Sequence, residues 1–314
     1  MSNDPKTQPR YSGIPTFMRT PYTTDLSAID IALIGVPFDG GVTNRTGTRH
    51  GPREVRNQSS LMRTINQATG IAPFELARVG DIGDALPDNP FELIASHKAI
   101  QSFFEPVKTA GVLPLSAGGD HSITLPILRA IAKDGPVALV HFDAHCDTGD
   151  DYLGSKFHHG SPFKIAAEEG LIDPEKTIQI GIRGGITDRE QWKFSYDSGM
   201  RVIHIEEFYD MGVDAVIDEI HKVVGDSPVY VTFDVDGLDP VYAPGTGTPE
   251  VGGFTSFEAQ KMLRSLADLH IIGGDVVEVS PPFDPSGVTA LVGATMMFEI
   301  LCVMSESLRR RKHD

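Results

Sequence analysis

The chain reads as a single α/β domain in three layers, α/β/α, built on an eight-stranded parallel sheet. Three observations predict this. Short apolar, β-rich runs alternate with longer segments of helical spacing, the pattern of strands joined by crossover helices. No composition break, Pro/Ser-rich linker or solenoid-period repeat divides the 314 residues, which suffice for a well-buried core. Two glycine-rich polar loops, 37–52 and 237–253, each follow an apolar run, the place where ligands bind in open α/β sheets.

In chain order, residues 1–27 are polar and proline-spaced and read as an N-terminal arm, with 28–314 as the α/β domain. The arm's Tyr11, Phe17 and Tyr22 need a surface to pack on, another subunit among the options. The first strand is Ile31–Val36, and 78–82, 112–116 and Val137–Phe142 supply the next three; 178–182, Arg201–His204, 228–233 and 271–279 complete the eight. Helical spacing fills 91–105, 123–133 and 256–266. It is clearest over Val213–Val224, where Val213, Val216, Ile217, Ile220, Val223 and Val224 form one apolar stripe and Asp214, Asp218, Glu219 and Lys222 mostly face water.

Composition narrows the function classes. With 40% hydrophobic and 22% charged residues the chain is neither disordered nor fibrous. A formal net charge of −16 disfavours nucleic acid and anionic membranes as partners. Cys146 and Cys302 are too few for a disulfide framework, and the opening MSNDPKTQPR carries no apolar export segment, so a cytoplasmic location is expected. No run approaches the length needed to cross a bilayer, because Gly293 and Glu299 interrupt the most apolar stretch, 290–304.

The most informative segment is VALVHFDAHCD, 137–147, where an apolar run ends in alternating metal-type ligands. If the backbone stays extended, Asp143, His145 and Asp147 share one face while Ala144 and Cys146 point away. Carboxylates mixed with imidazole suit zinc, manganese or iron better than calcium. A second apolar run ends in Asp234 and Asp236, and a third in GGDHS, whose glycines permit a tight turn that can aim His121 into the cleft. A lone DxD also caps helices or binds sugar nucleotides; three strand ends together decide for metal. Six candidate ligands exceed the needs of one ion, and four crowded carboxylates require about two divalent cations. Among the other histidines His97, His204, His221 and His270 have no motif support, and His141 lies one step behind the ligand face as a supporting residue at best. Cys146 reads as a small buried residue.

These signatures, GGDHS at 118–122, VHFDAHCD at 140–147 and TFDVDGLDP at 232–240, resemble the ureohydrolases: arginase, agmatinase and the guanidino-acid amidinohydrolases. The likeness covers nearly the whole chain. It implies two Mn2+ per subunit held by His121, Asp143, His145, Asp147, Asp234 and Asp236, and a homo-oligomer, commonly a trimer or hexamer. It also implies a chemistry in which two metals share a water of lowered pKa as the nucleophile for a resonance-stabilised guanidinium. Asp147 is the candidate proton carrier. Glu278, in VVEVSPP, would pair with the guanidinium or, more plainly, cap a loop. His159 of FHHG matches the family's proton-shuttling histidine because it immediately precedes glycine, as His158 does not.

For the substrate, the family position that recognises an α-amino acid head as Asn is Gly149 here, which weakens arginine. Bulky Tyr152 and Phe157 near the cleft mouth favour a short tail. Within the family the arm, the 40–63 loop and the C-terminal segment are most similar to members acting on 3-guanidinopropanoate, with 4-guanidinobutanoate or agmatine as alternatives. A carboxylate tail needs a cationic or hydrogen-bonding partner, for which Asn44, Arg45, Arg49, His50 and Arg183 are candidates; any of the arginines could instead pair with structural acids. The competing classes are a formimino or amide hydrolase, which would favour a neutral donor in place of Glu278, and a non-catalytic scaffold, which would have lost a ligand.

Overall fold

The computed structural model describes residues 8–87 and 89–312. Eight strands lie at its centre: β1 (Ile31–Val36), β2 (Val79–Asp84), β3 (Leu113–Gly118), β4 (Val137–Phe142), β5 (Ile172–Ile182), β6 (Arg201–His204), β7 (Val229–Asp234) and β8 (Ile271–Val277). Every neighbouring pair is parallel. They form one sheet in the order β2-β1-β3-β8-β7-β4-β5-β6. β1, β4 and β6 have the bounds the sequence indicates. β5 begins six residues earlier than expected (172 rather than 178), because Ile172 pairs with Val137 at the sheet end and the polar DPEK stretch that follows is absorbed in an irregularity before pairing resumes at Leu139↔Thr177.

Both faces of the sheet are covered, and for that reason its strands read as continuous apolar runs. In β4, Ala138, Val140 and Phe142 feed one core while Val137 and Leu139 feed the other. The first core is closed by the helices Gly51–Ser59, Val213–Val224, Ser256–Arg264 and Val288–Arg311. The second is closed by Leu93–Thr109, Thr124–Ile131 and Pro162–Glu168. Leu93–Thr109 runs past the expected end at 105 and through Pro106, since burial of Phe104 and Val107 offsets the one lost amide bond.

Two expectations change. The helix Val288–Arg311 has 24 residues and is, by length and composition alone, apolar enough to cross a bilayer. Gly293 and Glu299 do not interrupt it: a Cβ on Gly293 would lie 2.9 Å from Val279, so the glycine permits close packing, and buried Glu299 is held by Arg264 and by Asn66 at 2.6 Å. Its most apolar window is 78% buried, the mark of a core helix rather than a membrane span. Of the arm, residues 1–7 lie outside the described residues. Phe17 and Met18 are fully buried in the chain's own core, with Phe17 N–H donating to Asp81 (2.9 Å), Met18 N–H to Ser59 (2.8 Å) and Arg56 stacked 4.2 Å above the Phe17 ring. Phe17 therefore needs no second subunit, whereas Tyr11 and Tyr22 remain exposed.

Candidate active site

The four central strands β3, β8, β7 and β4, adjacent in the sheet though far apart in sequence, end side by side and deliver the site. After β3 the chain turns at Gly119, whose φ of +39° and closeness to the Phe38 and Val36 carbonyls (2.5 Å from a built Cβ) leave no room for a side chain. The turn points His121 inward. Its Nδ1 lies 3.1 Å from Asp143 Oδ2, 3.0 Å from Asp147 Oδ2 and 3.3 Å from Asp234 Oδ2. A second nest forms where His145 Nδ1 lies 3.3 Å from both Asp143 Oδ1 and Asp236 Oδ2. Asp143 thus offers one oxygen to each nest, and the structure brings all six sequence-derived ligands together.

The way they converge differs from the extended-strand expectation. β4 ends at Phe142, and residues 143–147 form a bend in which Asp147 adopts a left-handed φ of +51°. Of the two residues expected to point away, Ala144 is fully buried, whereas Cys146, also buried, contributes to the cleft wall; burial pushes its thiol up. Backbone amides aim the carboxylates, with His145 N–H donating to Asp143 Oδ1 (2.6 Å), Ala144 N–H to Asp236 (3.1 Å) and Asp236 N–H to Asp234 (2.8 Å).

Whether these residues fit cations can be judged from His121. Its Nδ1 is buried and surrounded by three carboxylate oxygens, yet no hydrogen bond is made. Burial disfavours the imidazolium, but Asp143, Asp147 and Asp234 outweigh it and raise His121 well above its usual range. Asp234 is driven well above the carboxylate range by burial and by repulsion from Asp236 and Asp143. In Asp143, burial is opposed and outweighed by His141, His121 and His145, which hold it low. The site is short of positive charge, and its oxygens and imidazoles surround the places where cations would supply it; the donor set fits two divalent ions.

His141, set behind the ligands by sequence, acts as a donor. Gln179 donates to its Nδ1 (3.1 Å), leaving Nε2–H for Asp143 Oδ2 (2.8 Å). This brings its ring nitrogen as close to Asp143 as a ligand's, but that nitrogen carries a proton.

Glu278 follows β8 and also adopts a left-handed backbone, φ +64°. Such strain at a non-glycine residue costs about 1–3 kcal/mol and concentrates at functional sites; here it falls on two site carboxylates, Asp147 and Glu278. Glu278 Oε1 accepts from His121 N–H (3.0 Å) and lies 2.9 Å from His159 Nδ1. Its other oxygen, Oε2, is buried with no partner. The loop-cap role weighed from sequence and the free oxygen thus coexist in one side chain. His159 Nε2 is 2.7 Å from Thr43 Oγ1. Burial would lower His159, yet Glu278, with Asp147 and Asp120, raises it to about 9. Asp120, buried and raised to about 6 by desolvation and by Glu278, accepts from Gly41 and Ser122 amides and fixes the loop below His159.

The site opens into a cleft of about 1090 Å³ bordered by Asp147, His159, Asp234, Tyr152, Lys164 and Trp192 among others. Tyr152 is half exposed there. Phe157 is not at the mouth: its ring turns inward, edge-on to His97 at 6.0 Å and under Arg129 at 5.8 Å, and anchors the loop instead. Asn44 is exposed beside Thr43 but does not border the cleft. Arg49 is engaged by Asp39 through Nε (2.5 Å), and Arg183 donates to the carbonyls of Gly181, Asp236, Gly237, Leu238, Glu250 and Val251. Arg183 has no donors to spare for a substrate carboxylate, while Arg49, paired with Asp39, stands outside the cleft wall; the partners responsible are ones that spacing cannot reveal. Lys164, joined to Asp150 and 5.2 Å from the Phe194 ring, is a cleft cation that sequence reasoning missed, since it lies in no motif. Gly149 is held by close approach, a built Cβ lying 2.8 Å from the Gly160 carbonyl.

Comparison with known proteins gives a consistent picture. A sequence model of the arginase family matches residues 29–303. A guanidinopropionase of Pseudomonas aeruginosa is 58% identical over 96% of this chain and 95% of its own length. A guanidinobutyrase of the same organism is 46% identical, covering 96% of each chain. The solved structure of proclavaminate amidino hydrolase from Streptomyces clavuligerus superposes with a TM-score of 0.92 at 40% identity, over 96% of this chain and 100% of that one.

Proposed function

The chain belongs to the arginase family, and on that premise we propose that it is a two-metal amidinohydrolase that cleaves 3-guanidinopropanoate and water to urea and β-alanine. The observation that carries this reading is Glu278 Oε2, a buried carboxylate oxygen without a partner beside the two ligand nests. An uncompensated oxygen there costs free energy unless a cationic donor arrives, and a planar guanidinium is such a donor. An amide or formimino substrate would favour a neutral group in its place. The similarity to a guanidinopropionase supports the short acid; 4-guanidinobutanoate and agmatine are the alternatives.

The ions, which we infer to be two Mn2+ held by His121, Asp143, His145, Asp147, Asp234 and Asp236, supply when bound a lowered water pKa and charge neutralisation. Glu278 orients the guanidinium, and Asp147, bordering the cleft, takes the proton that the attacking water gives up. The water oxygen bonds to the guanidino carbon and the bond from that carbon to the chain nitrogen breaks. His159, whose imidazolium is favoured by Glu278, is placed to return a proton to the departing amine and to recharge through Thr43. Tyr152 limits the tail length from the cleft wall. Two free thiols, Cys146 and Cys302, support a reducing cytoplasm. Association into a trimer or hexamer would cover exposed Tyr11, Phe91 and Phe257.

Urea release from Mn2+-loaded protein, compared across guanidinoacetate, guanidinopropionate, guanidinobutyrate, agmatine and arginine, tests the reading. The highest kcat/KM is expected for guanidinopropionate; no urea from any of the five rejects it.

A further inference from the structure

Behind the ligand nests lies a fully buried carboxylate that the reaction above does not use. Asp275 sits in the interior of β8, directly across the sheet from Thr232 of β7. Its Oδ1 accepts from Thr232 Oγ1 (2.6 Å), and its Oδ2 accepts from Thr124 Oγ1 and Tyr230 OH (2.8 Å each). All four residues are 0% exposed. Three hydroxyl donors, and no ion pair among the described residues, make Asp275 an acceptor.

The consequence reaches His121. A threonine hydroxyl has one proton, and Thr232 gives its proton to Asp275. Thr232 Oγ1 can then only accept from the ring nitrogen beside it, His121 Nε2, at 2.8 Å. The Nε2 must carry a hydrogen, which leaves the lone pair of the neutral ring on Nδ1, the atom facing Asp143, Asp147 and Asp234. Without Asp275 the hydroxyl could rotate and donate to Nε2, and the ring hydrogen would then occupy Nδ1, where the cation has to sit.

We infer that Asp275, acting through Thr232, is a positioning residue that fixes the tautomer of His121 and thereby the affinity of one of the two metal sites. This rests on the two-metal reading of the site. Outer partners of a ligating histidine contribute about 10- to 100-fold to metal affinity. Structural packing alone would not require a carboxyl group between two strands, since replacing a buried polar network by apolar side chains of like volume is often neutral.

Calorimetric titration of metal-free protein with Mn2+ tests the inference. In a His145→Asn background, which reports the ion held by His121, Thr232→Val keeps the volume and removes the relay; affinity is expected to fall about 10- to 100-fold, Thr232→Ser to restore it, and Asp275→Leu, which leaves Thr232 no acceptor, to fall with the valine variant. In a His121→Asn background Thr232→Val should leave the remaining ion's affinity unchanged. Should Thr232→Val not fold, Asp275→Leu and Thr232→Ser carry the comparison. Equal affinity of Thr232→Val, or of Asp275→Leu where that variant stands alone, and its parent in the His145→Asn background overturns the relay and leaves the two-metal reading intact. Absence of saturable Mn2+ binding by the unsubstituted protein overturns both.

Discussion

Glu278→Gln separates the charge of the guanidinium partner from its shape. The amide keeps the planar outline and can keep an oxygen on the His121 amide and His159, now 3.0 and 2.9 Å away. What it changes is the other position, where an unpartnered anionic oxygen becomes an NH2 that cannot accept from a guanidinium. Removing one partner of a buried, hydrogen-bonded charge pair costs about 2–5 kcal/mol, which at about 1.4 kcal/mol per decade is roughly 30- to 4,000-fold in kcat/KM. The left-handed backbone is unaltered, because both side chains meet the same penalty there. Steady-state urea release, with bound metal quantified in each preparation, gives the ratio. A variant with full metal content whose kcat/KM stays within about tenfold of the parent refutes the role given to Glu278.

Other perturbations probe other parts of the site. Chelation should lower the melting temperature, since ligand binding at about 100 times its Kd contributes about 2.7 kcal/mol; an unchanged melting curve would mean that the nests hold no ion tightly. In metal-free protein His159 is raised from 6.5 to about 9, so its pairing with Glu278 stabilises fully below the unfolded value and is lost as pH rises through about 9. The melting-temperature gap between parent and His159→Asn should shrink over that window, and a constant gap would contradict it. Arg183→Lys removes most of a set of bonds to buried carbonyls and should destabilise by at least about 3 kcal/mol in denaturant titration. If Arg183 held the substrate carboxylate, guanidino acids would lose more activity than agmatine; an equal loss is expected. Tyr152→Ala should move preference towards longer chains, and an unchanged ranking of substrates would remove Tyr152 from the pocket.

The six ligands were legible because they follow apolar runs, and apolar runs that must be buried on both faces can only be interior strands; three such runs ending in carboxylate and imidazole leave little but a metal site. The sequence by itself determined those residues, the eight strands and the chemistry they suit. It did not determine how they meet. The order β3-β8-β7-β4 sets β8 beside β3 and β7 beside β4, strands that are not consecutive in the chain, and that order follows from packing helices on both faces, a property of the whole chain. Local pattern also misjudged the 143–147 bend, because the left-handed turn at Asp147 is held by its surroundings rather than by its residue type. Arg49, Arg183 and Phe157 could not be assigned from spacing, since each is committed to partners from other segments. Asp275 carried no motif at all. Only the register of β7 against β8 sets it across from Thr232, and only there does one buried carboxylate acquire a path to His121.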